Sequence, residues 1–394
     1  MILKKKLVHL MCLVFIFNLA ACSGSDDDPA SDSENPTITC PANISIMIAS
    51  TESGAEVTYT APTATDNVSA AIAQLEGLPS GSLFPVGTTT NVFRALDPSG
   101  NTATCSFDVV VTRNEPSPNL PYFIGDNPAP TGKVWVKVED MSDEFEGTVF
   151  DDAKWHRNPS TDGFNWVGRP PGLFKSENVA VGNGNLNVSV EKMATSQTVN
   201  GNNYTHGGAI VRSKNVAVQG QYYECRMKAN STVMSSTFWI AYKQNCNTGP
   251  IRKLELDIQE CVGRIHEGTS DWAVDYANVY ASNTWRHNRA CDTEVSESIQ
   301  SPGKTILDEE NNSRFFVYGC WWKSPTEVLF YLDGVYTHSI TPPTDFDLEG
   351  HITMAIETYN WNPVDDAGSI FETGSVDELT TKYDWVRTWK LEDE

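Results

Sequence analysis

Three carboxylates fall within six residues of the stretch Lys253-Leu254-Glu255-Leu256-Asp257-Ile258-Gln259-Glu260. Apolar Leu256 and Ile258 separate them, an alternation that reads as a β-strand. Successive side chains on a strand point to opposite faces. Glu255 and Asp257 therefore share a face, and Leu256 and Ile258 pack behind it. Glu260 follows Glu255 by five positions, so a regular strand would aim it the wrong way. One extra residue, a β-bulge, returns it to the face of the other two. Two carboxylates on one concave face, with a third between them, suit hydrolysis of a glycosidic bond with retention of configuration. That chemistry needs a nucleophile and an acid/base about 5–5.5 Å apart. The competing reading is a solvated strand face. Like charges crowded on one face cost stability, which an ordinary surface has little reason to bear.

The elements that must hold this stretch are strands. Residues 131–394 carry many strand-like runs, including Asn185–Val190, Gly208–Val211, Tyr222–Lys228, Phe315–Trp322, Val328–Leu332, Ile352–Thr358 and Lys382–Leu391. Asp333-Gly334 is a hairpin signal, and no convincing amphipathic helix interrupts the pattern. The expectation is an all-β domain of two stacked antiparallel sheets, bent to form a cleft. Ahead of it, residues 37–113 alternate apolar and polar positions between turn signals, as a small β-sandwich does. Pro116, Pro118, Pro121, Pro128 and Pro130 mark residues 114–130 as a semi-rigid linker.

Residues 1–22 read as an export signal: Lys4, Lys5 and Lys6, then a mostly apolar run to Phe17, then Leu19-Ala20-Ala21-Cys22. The segment is too short to span a membrane as a helix. Residues 23–36 form an acidic tether. The net charge of -23 and the lack of a Lys/Arg-rich tract beyond the N-terminus argue against nucleic-acid binding. An anionic substrate would then need a local basic cluster. Cys40 and Cys105 fall near the two ends of the small β-rich segment and are expected to pair. Cys246 and Cys291, in polar stretches, are candidates for a second bridge. Cys225, Cys261 and Cys320 sit in or beside apolar strands and read as buried thiols. No Cys/His spacing suggests zinc.

With its surroundings, the carboxylate stretch resembles the E-[IL]-D-x-x-E signature of glycoside hydrolase family 16, in the spacing of its laminarinase, agarase, carrageenase and porphyranase branches. Met141-Ser142-Asp143-Glu144-Phe145, Asn178-Val179-Ala180-Val181 and Tyr383-Asp384-Trp385-Val386-Arg387 resemble other segments of that family in the right order. The resemblance implies a jelly-roll sandwich. By position in the motif it implies Glu255 as nucleophile, Glu260 as acid/base and Asp257 as an orienting group. No cofactor is required, although many members carry a structural Ca2+, for which Asp384 is a candidate ligand. The combination of "ELDIQE", "W-GRPPGLF" and "IETYNWNP" looks most like β-porphyranases, with β-agarases next. The segments Gly81–Thr90 and Ala95–Cys105 resemble the hyalin-repeat (HYR) module, an immunoglobulin-like unit expected to act as a spacer. Leu19–Cys22 resembles a bacterial lipobox with Cys22 as the lipidated residue. The acidic tether resembles an export signal to the outer face of the outer membrane.

Aromatic platforms bind pyranose rings, and Trp166, Trp239 and Trp361 are the candidates. Trp155, Trp385 and Trp389 read as core, and Trp135 and Trp272 are unassigned. Porphyran units carry a sulfate ester, which calls for a fixed cation. Arg169 and Arg252 lead, since guanidinium presents a planar fork to oxyanions. Arg286 and Arg289 could extend the cleft. Glu357, in the Glu357-Thr358-Tyr359-Asn360-Trp361 segment, completes the substrate-binding candidates. The expected partner is a polysaccharide of the agar/porphyran type, bound by a monomer. The readings left in competition are a β-agarase, another family 16 glucanase or carrageenase, and a non-catalytic glycan-binding surface lipoprotein.

Overall fold

The computed structural model describes residues 32–49, 53–114, 116–158, 161, 164–243, 251–289, 295–364 and 369–394. They fall into two compact units, one ending at Arg113 and the other running from Asn114 to Glu394.

The first unit is a small β-sandwich. Its main sheet joins Ile44–Ala49, Thr102–Asn114, Gly87–Leu96 and Ala71–Glu76. Phe84, Phe93, Phe107 and Val109 fill its core. Cys40 and Cys105 form the expected disulfide, with Cα atoms 5.7 Å apart.

The second unit is a sandwich of two large sheets, antiparallel except where Gly172–Phe174 runs parallel to Asn202–Ser213. The cleft sheet runs Trp155–His156, Asn202–Ser213, His351–Ile356, Ser235–Lys243, Ile251–Val262, Val279–Arg289, Val295–Ile306. The outer sheet runs Val179–Gly182, Asn185–Ser189, Thr380–Asp393, Tyr222–Lys228, Phe316–Ser324, Glu327–Leu332, Val335–Ile340. Alternation supplies each sheet with an inner apolar face. Leu254, Leu256, Ile352 and Met354 of the cleft sheet meet Tyr223, Met227, Tyr318 and Val386 of the outer one. Two phenols stitch the layers: Tyr383 donates to the carbonyl of Thr237 at 2.7 Å and Tyr280 to that of Gly319 at 2.8 Å. Cys225, Cys261 and Cys320 are buried free thiols, as read from the sequence. Trp155 and Trp389 are core, and Trp385 is buried.

The proline-rich stretch is not a free linker. Tyr122 is buried against Val317 and Trp385, and Phe123 packs on Tyr222 and Tyr331. The Tyr122 amide donates to Glu224 Oε2 at 3.1 Å, and Trp389 Nε1 donates to the other oxygen at 2.8 Å. The apolar run Tyr122-Phe123-Ile124 outweighs its proline neighbours, because its burial on the outer sheet removes large aromatic area from water.

Candidate active site

The strand Ile251–Val262 carries all three carboxylates, and its register contains the bulge. Thr237 of the preceding strand faces Glu260, Phe238 faces Gln259 and Trp239 faces Asp257. Ile258 is therefore left without a partner. The extra residue restores Glu260 to the face of Glu255 and Asp257, and the three line one cleft. Leu254, Leu256 and Ile258 are buried behind them.

A bulge breaks the ladder on its other edge, where pairing with the following strand stops at Asp257 opposite Asn283. A side chain replaces the missing bonds. Gln259 is fully buried. Its amide nitrogen donates to the Val279 carbonyl at 2.9 Å, and its oxygen accepts from the Ala281 amide at 3.0 Å. The Ser282 hydroxyl donates to the Ile258 carbonyl at 3.0 Å. Nothing in the local alternation marks Gln259 for this role.

The carboxylates do not share one environment. Glu255 is ion-paired with Lys253, two residues earlier on the same face. Burial pulls the Lys253 ammonium down, but Glu255 more than restores it, so the lysine stays charged. Asp257 lies on the cleft floor, 7% exposed. Burial, then Glu255 and Glu260, push its carboxyl well above the usual range and favour its neutral, hydrogen-donating form. Burial also raises Glu260, with Glu255 adding to the shift. The Tyr359 phenol opposes this by donating to Glu260 Oε1 at 2.6 Å.

The cleft has a volume of about 470 Å3. On one side it is walled by Trp239, Trp166 and Phe164, whose rings meet edge to face at 6.0–6.3 Å. Arg169 lies on the same wall, 45% exposed at the side chain. Its Nε donates to Glu357 Oε2 at 2.9 Å. Glu357 is itself fixed through its backbone, whose amide donates to Ser235 Oγ at 2.8 Å. Burial lifts the Glu357 carboxyl to about 7, against the pull of Arg169. Among the described residues, the two terminal nitrogens of Arg169 have no hydrogen-bond partner. On the other side lies His287, opposite Lys253 across the strands, with its ring stacked on Trp285.

Residues 135–391 match the family described as beta-porphyranase A-D, GH16 domain, and residues 31–111 match the HYR domain. The chain belongs to this porphyranase family of glycoside hydrolases. Beta-porphyranase B of Zobellia galactanivorans is 43% identical over 272 residues, which cover 68% of this chain and 89% of that protein. Beta-porphyranase B of Phocaeicola plebeius is 35% identical over 285 residues, 67% of this chain and 87% of that one. The crystal structure of the Zobellia porphyranase B shares 42% identity and a TM-score of 0.62, covering 70% of this chain and 100% of its own. The structure of beta-agarase A from the same organism, at 20% identity and TM-score 0.53, shares the fold over 69% of this chain and 97% of its own.

Not every candidate lies in the porphyranase-family cleft. Arg252 does not: strand parity puts it on the face of Leu254 and Leu256. Its guanidinium reaches the Asp345 carbonyl and Asp347 Oδ1, both at 3.1 Å. Lys253, one residue on, is the cation that faces the carboxylates. Arg286 shares the face of Arg252 and donates to Thr344 Oγ1 at 3.0 Å. Trp361 is absent from the cleft lining; it stacks on Tyr359 at 4.5 Å and meets Trp272 and Tyr276. Asp384, the candidate Ca2+ ligand, lies outside this cleft, where its Oδ2 accepts from Arg226 at 2.6 Å. Cys22, Cys246, Cys291 and the Arg289 side chain lie outside the described residues.

Proposed function

We propose that this glycoside hydrolase cleaves porphyran, a sulfated red-algal galactan, internally and with retention of configuration. Glu255 attacks the anomeric carbon as the bond to the leaving oxygen breaks, and Glu260 gives that oxygen its proton. Neutral Asp257 has one O–H to donate, and giving it to one of the two glutamates would hold that carboxyl's orientation. Forming the glycosyl ester removes the charge of Glu255, one of the anions that raise Glu260. Glu260 then takes a proton from water, which attacks the same carbon and releases Glu255. This coupling explains why acids that repel one another share one floor.

One observation carries the choice of substrate. Arg169 is tethered to buried Glu357 through Nε and lies over the Tyr359 ring at 5.6 Å, in a cleft that Trp166 also lines, and among the described residues its two terminal nitrogens have no hydrogen-bond partner. A ring platform next to a guanidinium fork suits a pyranose that bears an oxyanion. The 43% identity to a beta-porphyranase supports the same reading. We also infer that the chain is exported, lipidated at Cys22 and displayed as a monomer on the outer membrane surface, with the HYR module as spacer. The N-terminal pattern and the acidic tether support this. Digesting porphyran, agarose, carrageenan and laminarin side by side tests the substrate. Porphyran should give the fastest release of reducing ends. A preference for agarose would make the chain a β-agarase.

A further inference from the structure

The HYR-type unit holds a cluster that its role as spacer does not use. Asp32, Asp66 and Asp97 come from three separate segments: ahead of Thr37–Thr39, just after Thr63–Thr65 and just after Gly87–Leu96. One ligand oxygen from each lies within 4.8 Å of those of the other two. No lysine, arginine or histidine among the described residues pairs with any of them.

The hydrogen bonds of these carboxylates are unevenly spent. Asp32 Oδ1 accepts from the Glu34 amide at 3.0 Å and from Asn67 Nδ2 at 3.2 Å. Asp66 Oδ2 accepts from the Val68 amide at 3.0 Å. Asp97, 4% exposed, accepts from the Asn101 amide at 2.7 Å and from Asn101 Nδ2 at 2.8 Å. The remaining oxygens, Asp32 Oδ2 and Asp66 Oδ1, each expose less than 1 Å2 and accept no hydrogen bond. Convergence alone would be an acidic cluster of the kind common on surfaces. Two anionic oxygens shut off from water and from every donor are a separate fact. Such atoms are costly to bury unless a cation satisfies them.

We propose that Asp32, Asp66 and Asp97 bind one Ca2+ ion. The donor set is all oxygen, which suits a hard divalent cation. Three protein carboxylates with oxygens no more than 4.8 Å apart suit Ca2+, whereas Mg2+ keeps several waters and takes one or two carboxylates. The ion fastens the start of the unit to two of its loops. It acts beside the Asn101 Nδ2 bond to the Asp32 carbonyl at 3.0 Å and the Cys40–Cys105 disulfide. The site is remote in sequence from the hydrolytic machinery, so its loss should leave hydrolysis of short oligosaccharides unchanged.

The test uses the full-length chain, stripped with EGTA and titrated calorimetrically with CaCl2 and, in parallel, MgCl2. Thermal unfolding is followed with and without Ca2+. Wild type should bind Ca2+ with a dissociation constant on the order of 10⁻⁴ M or tighter, and Ca2+ should raise its first melting transition. Asp66→Asn and Asp97→Asn should each weaken this binding at least tenfold and erase the rise. In EGTA, Asp66→Asn should melt no lower than wild type, because it relieves repulsion that the ion otherwise screens. If Asp97→Asn fails to fold, Asp66→Asn and Asp32→Asn decide. Absence of Ca2+ binding in wild type, unchanged affinity in the folded variants, or equal affinity for Mg2+ would overturn the proposal.

Discussion

The phenol of Tyr359 donates a 2.6 Å hydrogen bond to Glu260, the carboxyl assigned as acid/base. The bond lowers a carboxyl that burial and Glu255 raise. Glu260 must be protonated for the first step, so the basic limb of kcat/KM follows its pKa. In Tyr359→Phe that pKa should rise and the basic limb should move to higher pH. A lost hydrogen bond to a charged group, about 1.5–3 kcal/mol, should lower kcat roughly tenfold or more. A pH profile that keeps its basic limb in place would separate Tyr359 from the acid/base.

Gln259 holds the bulge by two bonds to the following strand. Gln259→Met keeps the volume and leaves a buried carbonyl and a buried amide unsatisfied. The expected loss is about 2–4 kcal/mol in denaturant unfolding, with a fall in kcat larger than any change in KM. A variant within about 0.5 kcal/mol of wild type would show that the bulge stands without it.

Arg169 should distinguish sulfated from unsulfated chains. Arg169→Ala is expected to cost about 1.5–3 kcal/mol in kcat/KM on sulfated oligosaccharides. On matched unsulfated ones the loss should be much smaller. Lysine should recover only part, since it brings a point charge without the fork. Equal losses on both substrates would make Arg169 a structural partner of Glu357.

Glu357 makes stability depend on pH in a definite direction. Its carboxyl stands at about 7 when folded, against 4.5 for the unperturbed group. The folded chain therefore keeps a proton that the unfolded chain releases. Its contribution is full below about 4.5 and declines as pH rises toward 7, by up to about 3 kcal/mol. Melting temperature should fall from pH 5 to pH 8, and Glu357→Gln should flatten part of that fall. An unchanged slope in the variant would show that Glu357 does not titrate in this window.

What the sequence made legible was local. Alternation around Glu255 and Asp257 set the strand, and the offset of Glu260 demanded the bulge that Ile258 supplies. Parity in the same strand also separates Lys253 from Arg252. A guanidinium suits an oxyanion, but the position of Arg252 on the Leu254 face keeps it out of the cleft. Trp361 and Tyr359 lie two residues apart in one segment, yet only Tyr359 reaches Glu260. That difference arises from the packing of Trp272 and Tyr276 around Trp361, which no local pattern encodes. Gln259 was illegible for a related reason: its partners are backbone groups of a strand some twenty residues away. The proline-rich stretch read as a linker because its turn residues outnumber Tyr122-Phe123-Ile124, whose destination is the outer sheet.

The central claim is that Glu255 and Glu260 cleave a sulfated galactan through a covalent intermediate. Proton NMR of porphyran during digestion by the wild-type chain tests it most directly. New reducing ends should appear first as the β-anomer, then equilibrate, and Glu255→Gln should release none. Initial appearance of the α-anomer, or unchanged release by Glu255→Gln, would contradict the account.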